Sequence, residues 1–392
     1  MLSKPFGFEK PHGMRDTLPA LYETKAWLRK QMMEGIQRWG YRFVETPALE
    51  YYDTVGTAAA IEEGQLFKLL DQDGKTLVLR PDMTAPIARI AASSLKDEAY
   101  PLRMAYDASV FRAQKREGGH PAEFEQIGVE LIGDGSAGAD AEIIALMIHV
   151  LKQAGLRQFQ AAVGHIGYIN TLLAENVDSK ERANGLRRLL YEKNVVGFRR
   201  AVEELNLSGN GRERLLALLD LRGGRKKLNT AAQLIDDPRG KKMLSDLTAL
   251  MDILDSYGVG QHIKLDFTLV SHMDYYTGIV FEGYNGSVGF PLASGGRYDE
   301  LLGRFHRPAP ATGFGVFFDR LVEAVGPIGE KPSSCCILYT ENHREEAIAL
   351  AHKKRAAGEI VVLQDREGVS DEDAFVRSFN EVVYDVGKEA DR

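Results

Sequence analysis

Cysteine is scarce in this 392-residue sequence, which contains only Cys335 and Cys336. Adjacent cysteines have neither the ligand spacing of a zinc site nor the geometry of an ordinary disulfide framework. We therefore expect two reduced, structural thiols and no metal site.

Long apolar runs are also missing. No stretch reaches the ~18 apolar residues that a membrane helix needs, and the N-terminal sequence MLSKPFGFEKPHGMRD has no apolar signal core. The sequence therefore predicts a cytoplasmic protein with no membrane partner.

An excess of positive charge is absent too. The net charge is -7, which argues against broad nonspecific binding of nucleic acid, because such binding needs a concentrated positive field. Two basic runs, at 182–200 and 222–227, are typical of solvated helical faces. A local basic groove is the alternative interpretation.

The remaining composition is that of an ordinary soluble globular protein, with 44% hydrophobic and 27% charged residues. The length predicts two or three domains. The first 160 residues mix both kinds of element, with strands clustered rather than alternating strictly with helices. Helices are predicted at Leu21 to Trp39, with Asp16 as the N-cap, and at Asp140 to Ala154, and strands at 76–80, 104–112 and 124–132.

The middle of the chain changes character. Leucines recur at helical spacing among charges from about 176 to 258, which predicts a helical insertion. One sheet is predicted to bracket it, because strands resume at 265–270, 278–284 and 288–292, followed by Gly295-Gly296 and a helix from Tyr298. Residues 326–332 are predicted to be a linker to a small α/β segment at 333–392.

Polar residues with possible binding roles cluster on predicted strands. Gln126 and Glu130 share one face of a strand, and Gly128 between them is expected to leave space over that face. Asp82 and Thr84 follow another strand. Together these groups could hold the ammonium of a free amino acid, because a desolvated cation needs opposite charge and hydrogen bonds. The alternative is a solvated sheet face.

Further candidates lie after the insertion. Tyr275 and Tyr276 could grip a flat polar side chain, although tyrosines are also ordinary core residues. Gly295-Gly296 before a helix would permit close approach of the backbone to a ligand. Arg320 could contact an anion or a purine ring, or simply form a surface salt bridge.

In this order the segments resemble the class II aminoacyl-tRNA synthetases, and specifically the histidyl enzymes, over about residues 5 to 325. The sequence LRPDMTA at 79–85 is similar to LRPEGTA in that family, and MDYYTG at 273–278 is similar to its LDYYTG. Phe111-Arg112 resembles the start of the second class motif, and residues 313–320 resemble the third.

The resemblance implies an α+β fold, with an antiparallel sheet flanked by helices, and a dimer with a histidine pocket. By position, the implied histidine-binding residues are Asp82, Thr84, Arg112, Gln126, Glu130, Tyr275 and Tyr276. Arg112 and Arg320 match arginines that contact ATP in the class, so Arg320 is a candidate nucleotide or anion contact.

Departures from the family affect the groups that would stabilise negative charge during adenylate formation. Ser271 stands where the histidyl enzymes have the arginine of RGLDYY, and Gln114 replaces the glutamate that recognises adenine. His120 and Ala122 stand where the loop of the second class motif, ERPQxGRxREF in the histidyl enzymes, has arginines. The segment after 333 is also shorter than an anticodon-binding domain, so neither catalytic residues nor a tRNA partner are expected.

A histidine pocket without activating cations is similar to one known group, the regulatory subunits of short-form ATP phosphoribosyltransferase. This resemblance implies a non-catalytic subunit that activates a catalytic partner in the first step of histidine biosynthesis and mediates feedback inhibition by histidine, with no cofactor. The alternatives are a divergent histidyl-tRNA synthetase, or a histidine-binding relative with another partner, such as an RNA or a kinase.

Overall fold

The computed structural model describes residues 9–59, 61–113, 121–205, 207, 210–270, 275–286, 289–327 and 333–384. The chain divides into two compact units, residues 1–327 and residues 328–392. Within the described residues, no helix combines the length and apolar character needed to cross a membrane.

The strands are β1 (Arg42–Phe43), β2 (Leu49–Tyr51), β3 (Lys68–Leu70), β4 (Thr76–Leu79), β5 (Leu102–Phe111), β6 (Glu123–Ile132), β7 (Gln160–His165), β8 (Arg222–Gly223), β9 (Ile263–Asp266), β10 (Ile279–Tyr284), β11 (Pro291–Arg297), β12 (Ala311–Phe317), β13 (Ser334–Tyr339), β14 (Ile360–Asp365) and β15 (Glu381–Tyr384). The helices are α1 (Pro19–Arg38), α2 (Thr84–Ala92), α3 (Ala137–Gln153), α4 (Ile166–Asn176), α5 (Lys180–Tyr191), α6 (Val195–Glu204), α7 (Gly211–Leu218), α8 (Lys227–Leu234), α9 (Pro238–Ser256), α10 (Phe318–Val325), α11 (Arg344–Ala356) and α12 (Glu372–Val376).

A nine-stranded sheet organises the first unit, in the order β1-β5-β6-β12-β11-β10-β7-β9-β8. The six central strands are β5, β6, β12, β11, β10 and β7, and each pairs antiparallel with its neighbours in this group. The pairs β1–β5 and β7–β9 are parallel. The expected fold class is confirmed, with a mixed rather than purely antiparallel sheet. The β7–β9 pair also shows that one sheet brackets the insertion.

One face of this sheet is covered by α3, which packs against α1 and α9. Helix α3 begins at Ser136, whose side chain caps Ala139 N. It is apolar on nearly every side, with Ile143, Leu146 and Leu151 fully buried. The opposite face of the central strands carries a second buried apolar cluster, in which Tyr106 and Ile132 pack with Ile87 of α2 and with Leu301 and Leu302.

The insertion consists of α5 to α9 together with the two-residue strand β8. Leu186, Leu190, Leu215 and Leu218 are buried between its helices, as their helical spacing predicts. The predicted basic runs lie on exposed surfaces here, and Arg188 and Arg200 pair with glutamates four residues further along their helices.

The second unit is a three-stranded parallel sheet in the order β14-β13-β15. Helix α11 packs on it through Ala347 and Ala351. Cys335 and Cys336 are both free and buried in the central strand β13, as the prediction of structural thiols requires. Burial raises the pKa of each thiol.

Three local predictions were wrong. The N-cap of α1 is Leu18 rather than Asp16, and its side chain makes no capping bond. Gly295 and Gly296 lie within β11, and the following segment Leu301–Phe305 is a short 3-10 helix rather than a helix from Tyr298. The strand predicted at 288–292 begins only at Pro291.

Candidate functional site

A polar patch on the face of the central sheet opposite α3 is buried rather than solvated. On β6, Gln126 is 7% exposed and Glu130 is 2% exposed. Glu130 is paired with Gly313 on β12. A Cβ at Gly313 would collide with the Glu130 carboxylate, so glycine at this position makes room for the acid.

Glu130 is the most enclosed carboxylate of this patch. Thr84 Oγ1 donates a hydrogen bond to its Oε1 at 2.9 Å, and the Tyr298 hydroxyl donates to its Oε2 at 2.5 Å. Burial raises the pKa of Glu130 to about 8, and the nearby Asp82 charge acts in the same direction, against the two hydrogen bonds.

Asp82 lies two residues before the start of α2 and is 2% exposed. Its Oδ1 accepts a hydrogen bond from Ala85 N at 3.2 Å. Its Oδ2 is buried and has no hydrogen-bond partner among the described residues. Burial raises the pKa of Asp82, although the positive charge of Arg112 opposes the rise. A second hydrogen-bond donor would therefore be well accommodated here.

Four tyrosines surround the two carboxylates. Tyr275 packs edge-on against Tyr276 and Tyr298, with ring centroids 5.0 and 5.7 Å away. Tyr106 lies over Gly128, where a Cβ would collide with its hydroxyl. The space predicted above Gly128 is therefore filled by Tyr106, and that expectation was wrong. The result is a flat-walled aromatic box.

Two arginines lie further out, on the walls of a cleft. The Nε of Arg112 donates to Pro81 O at 2.8 Å, and Arg320 Nη1 donates to Pro291 O at 2.9 Å. The Arg320 guanidinium lies 4.4 Å from the centre of the Phe317 ring. Burial lowers the pKa of both arginines, and the charge of Arg112 lowers that of Arg320 further.

This cleft has a volume of about 1230 Å³. Gln126, Arg112 and Arg320 line it, together with Glu282 and Tyr284 from β10. Neither arginine forms a salt bridge in the described part of the chain, but the charge of Asp82 acts on Arg112 and the charges of Glu282 and Glu323 act on Arg320. The size of the cleft exceeds what one amino acid would need.

The side chains of Asp82, Thr84, Glu130, Tyr275 and Tyr276 come together in one buried cluster, which we call the inner pocket. Arg112, whose charge acts on Asp82, and Gln126, on the same strand face as Glu130, line the cleft. Arg320 lies on the cleft wall. Ser271 and the loop from Gln114 to His120 lie outside the described residues.

Sequence reasoning missed Tyr106 and Tyr298 as pocket residues. Tyr106 could have been found from its alternation on β5, since it pairs with Gly128 across to β6. No local signal marks Tyr298, which reaches Glu130 from 168 residues away.

Two family models match this chain. A family model described as Histidyl-tRNA synthetase matches residues 13–321, and one described as Histidyl-tRNA synthetase HisZ, C-terminal domain, matches residues 336–387. A curated ATP phosphoribosyltransferase regulatory subunit from Halalkalibacterium halodurans is 59% identical over 388 residues, which are 98% of this chain and 98% of that protein.

The chain is also similar to solved structures. A Bacillus halodurans chain, described as an ATP phosphoribosyltransferase regulatory subunit/histidyl-tRNA synthetase, is 58% identical with a TM-score of 0.91, covering 98% of this chain and 100% of that one. A histidyl-tRNA synthetase from Nostoc sp. is 18% identical with a TM-score of 0.79, covering 95% of this chain and 89% of that one, and it supports the fold alone. Since the curated relative matches at this identity over nearly its whole length, the chain belongs to the family of ATP phosphoribosyltransferase regulatory subunits.

Proposed function

We propose that this chain binds free histidine in the inner pocket and reports its concentration to the catalytic subunit of ATP phosphoribosyltransferase. In this account it activates a short-form catalytic subunit, and histidine reverses the activation. The names of its close relatives support the partner, and the pocket supports the effector. We place the complex in the cytoplasm, with the chain itself as a dimer.

The observation that carries the proposal is a pair of desolvated carboxylates in one aromatic box. Free histidine has two nitrogen-bearing groups, an α-ammonium and an imidazole, and each can donate to a carboxylate. Asp82 offers an unpartnered Oδ2, and Glu130 lies deeper, with Tyr275 and Tyr298 around it. Burial makes both carboxylates costly until a cationic or hydrogen-bonding ligand is present.

The position of Arg112 gives the ligand a direction. Glu130 is 2% exposed and does not line the cleft, whereas Arg112 does. We infer that the imidazole enters first and donates to Glu130, that Asp82 and Thr84 bind the α-ammonium, and that Arg112 binds the α-carboxylate. Arg320, beyond Arg112, is left to contact another anionic group.

A divergent histidyl-tRNA synthetase is the competing function, because the same pocket would serve it. Against it, Ser271, Gln114, His120 and Ala122 stand where the resemblance requires residues that bind ATP or stabilise charge on its phosphates. Loss of one such transition-state donor costs roughly 100-fold or more in rate. We therefore propose that the chain has no catalysis of its own and does not charge tRNA.

Calorimetric titration of the purified chain with histidine tests the pocket directly. We expect binding to one site, weakened about 30-fold or more in Asp82→Asn, because a carboxylate facing the ammonium is lost while the Ala85 cap can be kept. Asp97→Asn, at an exposed site, should bind as the unmodified chain does. Absence of histidine binding, or unchanged affinity in Asp82→Asn, would contradict the assignment.

A further inference from the structure

The end of α5 belongs to the helical insertion, yet it lines the cleft. Leu190, Tyr191, Glu192 and Lys193 all contribute to the lining. The insertion and the sheet therefore meet at the cleft. What holds this segment in position decides how readily the cleft opens.

Lys193 makes the contact with the sheet. Its Nζ donates a hydrogen bond to the Tyr284 hydroxyl on β10 at 3.0 Å and lies 5.0 Å from the centre of the same ring. The Tyr284 hydroxyl also bonds the Glu282 carboxylate. The positive charge of Lys193 lowers the pKa of Glu282 against the rise caused by burial, so the three groups form one interacting set.

The backbone conformation at Lys193 favours this contact with β10. Its φ is 54°, a left-handed conformation that residues other than glycine rarely adopt. Two backbone bonds end the helix here, from Lys193 N to Leu190 O and from Asn194 N to Leu189 O. The strained turn aims the lysine side chain at β10 instead of continuing α5 into solvent.

The same segment also reaches the other side of the cleft. Tyr191 is close enough to Arg112 for the guanidinium charge to lower the pKa of its hydroxyl, against the rise caused by burial. Arg112 directly follows β5, whereas Tyr284 ends β10. Since β6, β12 and β11 lie between those two strands, residues 190–193 span the cleft.

We propose that residues 190–193 form a clasp over the cleft, closed by the contact of Lys193 with Tyr284 and Glu282. Opening the clasp admits and releases the ligand of the inner pocket, because Gln126 and Arg112 connect that pocket to the cleft. Occupancy of the site is thereby coupled to the position of the insertion helices. The gating role rests on the proposed binding of histidine, whereas the clasp contact itself does not.

Tyr284→Phe and Lys193→Met each remove the clasp hydrogen bond, and Tyr284→Phe leaves the lysine charge in place. Tyr257→Phe and Lys180→Met are matched controls at exposed positions outside the cleft lining. Hydrogen exchange of the 189–196 amides is measured on the ligand-free full chain. We expect it to be at least about 5-fold faster in both clasp variants than in the controls.

Dissociation of labelled histidine, followed after rapid mixing with unlabelled histidine, should also be about 5-fold faster in both variants. Unchanged amide exchange would overturn the clasp itself. Faster exchange with unchanged dissociation would overturn its gating role. Faster dissociation in Lys193→Met with unchanged dissociation in Tyr284→Phe would show direct ligand contact by the lysine and would overturn the gating role. If the unmodified chain bound no histidine, the proposed function would fail, while the exchange result would still decide the clasp.

Discussion

Glu130 links the pocket to pH. Its pKa is about 8 in the folded protein and 4.5 as its ordinary value. Between these values the folded chain holds a proton that the unfolded chain has lost, so the free energy of unfolding falls as pH rises from about 4.5 to 8. Above pH 8 the cost of the buried charge is fully present. Ligand binding can offset that cost.

Glu130→Gln should remove this pH dependence, because an amide resembles the neutral acid and carries no charge. In the absence of ligand, we expect the variant to match the unmodified chain near pH 5 and to be more stable by about 2 kcal/mol or more at pH 8.5. Denaturant unfolding at several pH values measures the difference.

Glu204→Gln is a suitable control, since Glu204 lies on the surface and its side chain is 65% exposed. A stability difference between Glu130→Gln and the unmodified chain that does not change between pH 5 and 8.5 would show that Glu130 is not held neutral.

Sequence alone could predict the acidic residues of the pocket but not all of their partners. Alternation along β6 places Gln126 and Glu130 on one face. Their burial could not be predicted, because it depends on residues distant in the sequence: Tyr106 lies over Gly128 between them, and Thr84 and Tyr298 enclose Glu130. Tyr298 reaches Glu130 only through the register of β11 and β12, which no local pattern encodes.

At the scale of elements, close approach within the sheet explains why one motif was misassigned. Gly295-Gly296 has the composition of a turn, yet it lies in β11. Two aromatic rings pack so close to the strand here that only glycine fits. A Cβ at Gly296 would lie 2.8 Å from the Tyr276 ring, and one at Gly295 would lie 2.5 Å from Phe281. These glycines make room for neighbouring side chains rather than for close approach of the backbone to a ligand. Tertiary packing therefore overrides the local preference of glycine for turns.

Strand β12 should be equally sensitive to added volume. Gly313→Ala would place a methyl group against the Glu130 carboxylate and against Val129 O. We expect it to reduce histidine affinity by about 10-fold or more and to destabilise the chain by about 1–3 kcal/mol. Titration calorimetry and thermal unfolding measure the two effects.

Gly303→Ala is the matched control, because a Cβ there meets nothing within 4 Å and the residue is exposed. Equal behaviour of the two alanine variants would contradict the role assigned to β12.

At the scale of the whole molecule, regulation requires that histidine bind two states of the complex with different affinity. In the proposed function the inner pocket is the site of the effector, and the cleft and insertion are the region that differs between states. By linkage, the catalytic subunit must change the affinity of the chain for histidine by the same factor by which histidine changes the affinity of the chain for the catalytic subunit.

The most direct test mixes the purified chain with a short-form catalytic subunit and measures formation of phosphoribosyl-ATP with and without histidine. We predict activation by the chain, reversal of that activation by histidine, and loss of the reversal in Glu130→Gln. Failure of the chain to change catalytic activity, together with histidine-dependent pyrophosphate exchange by the chain alone, would contradict the account and identify an active synthetase.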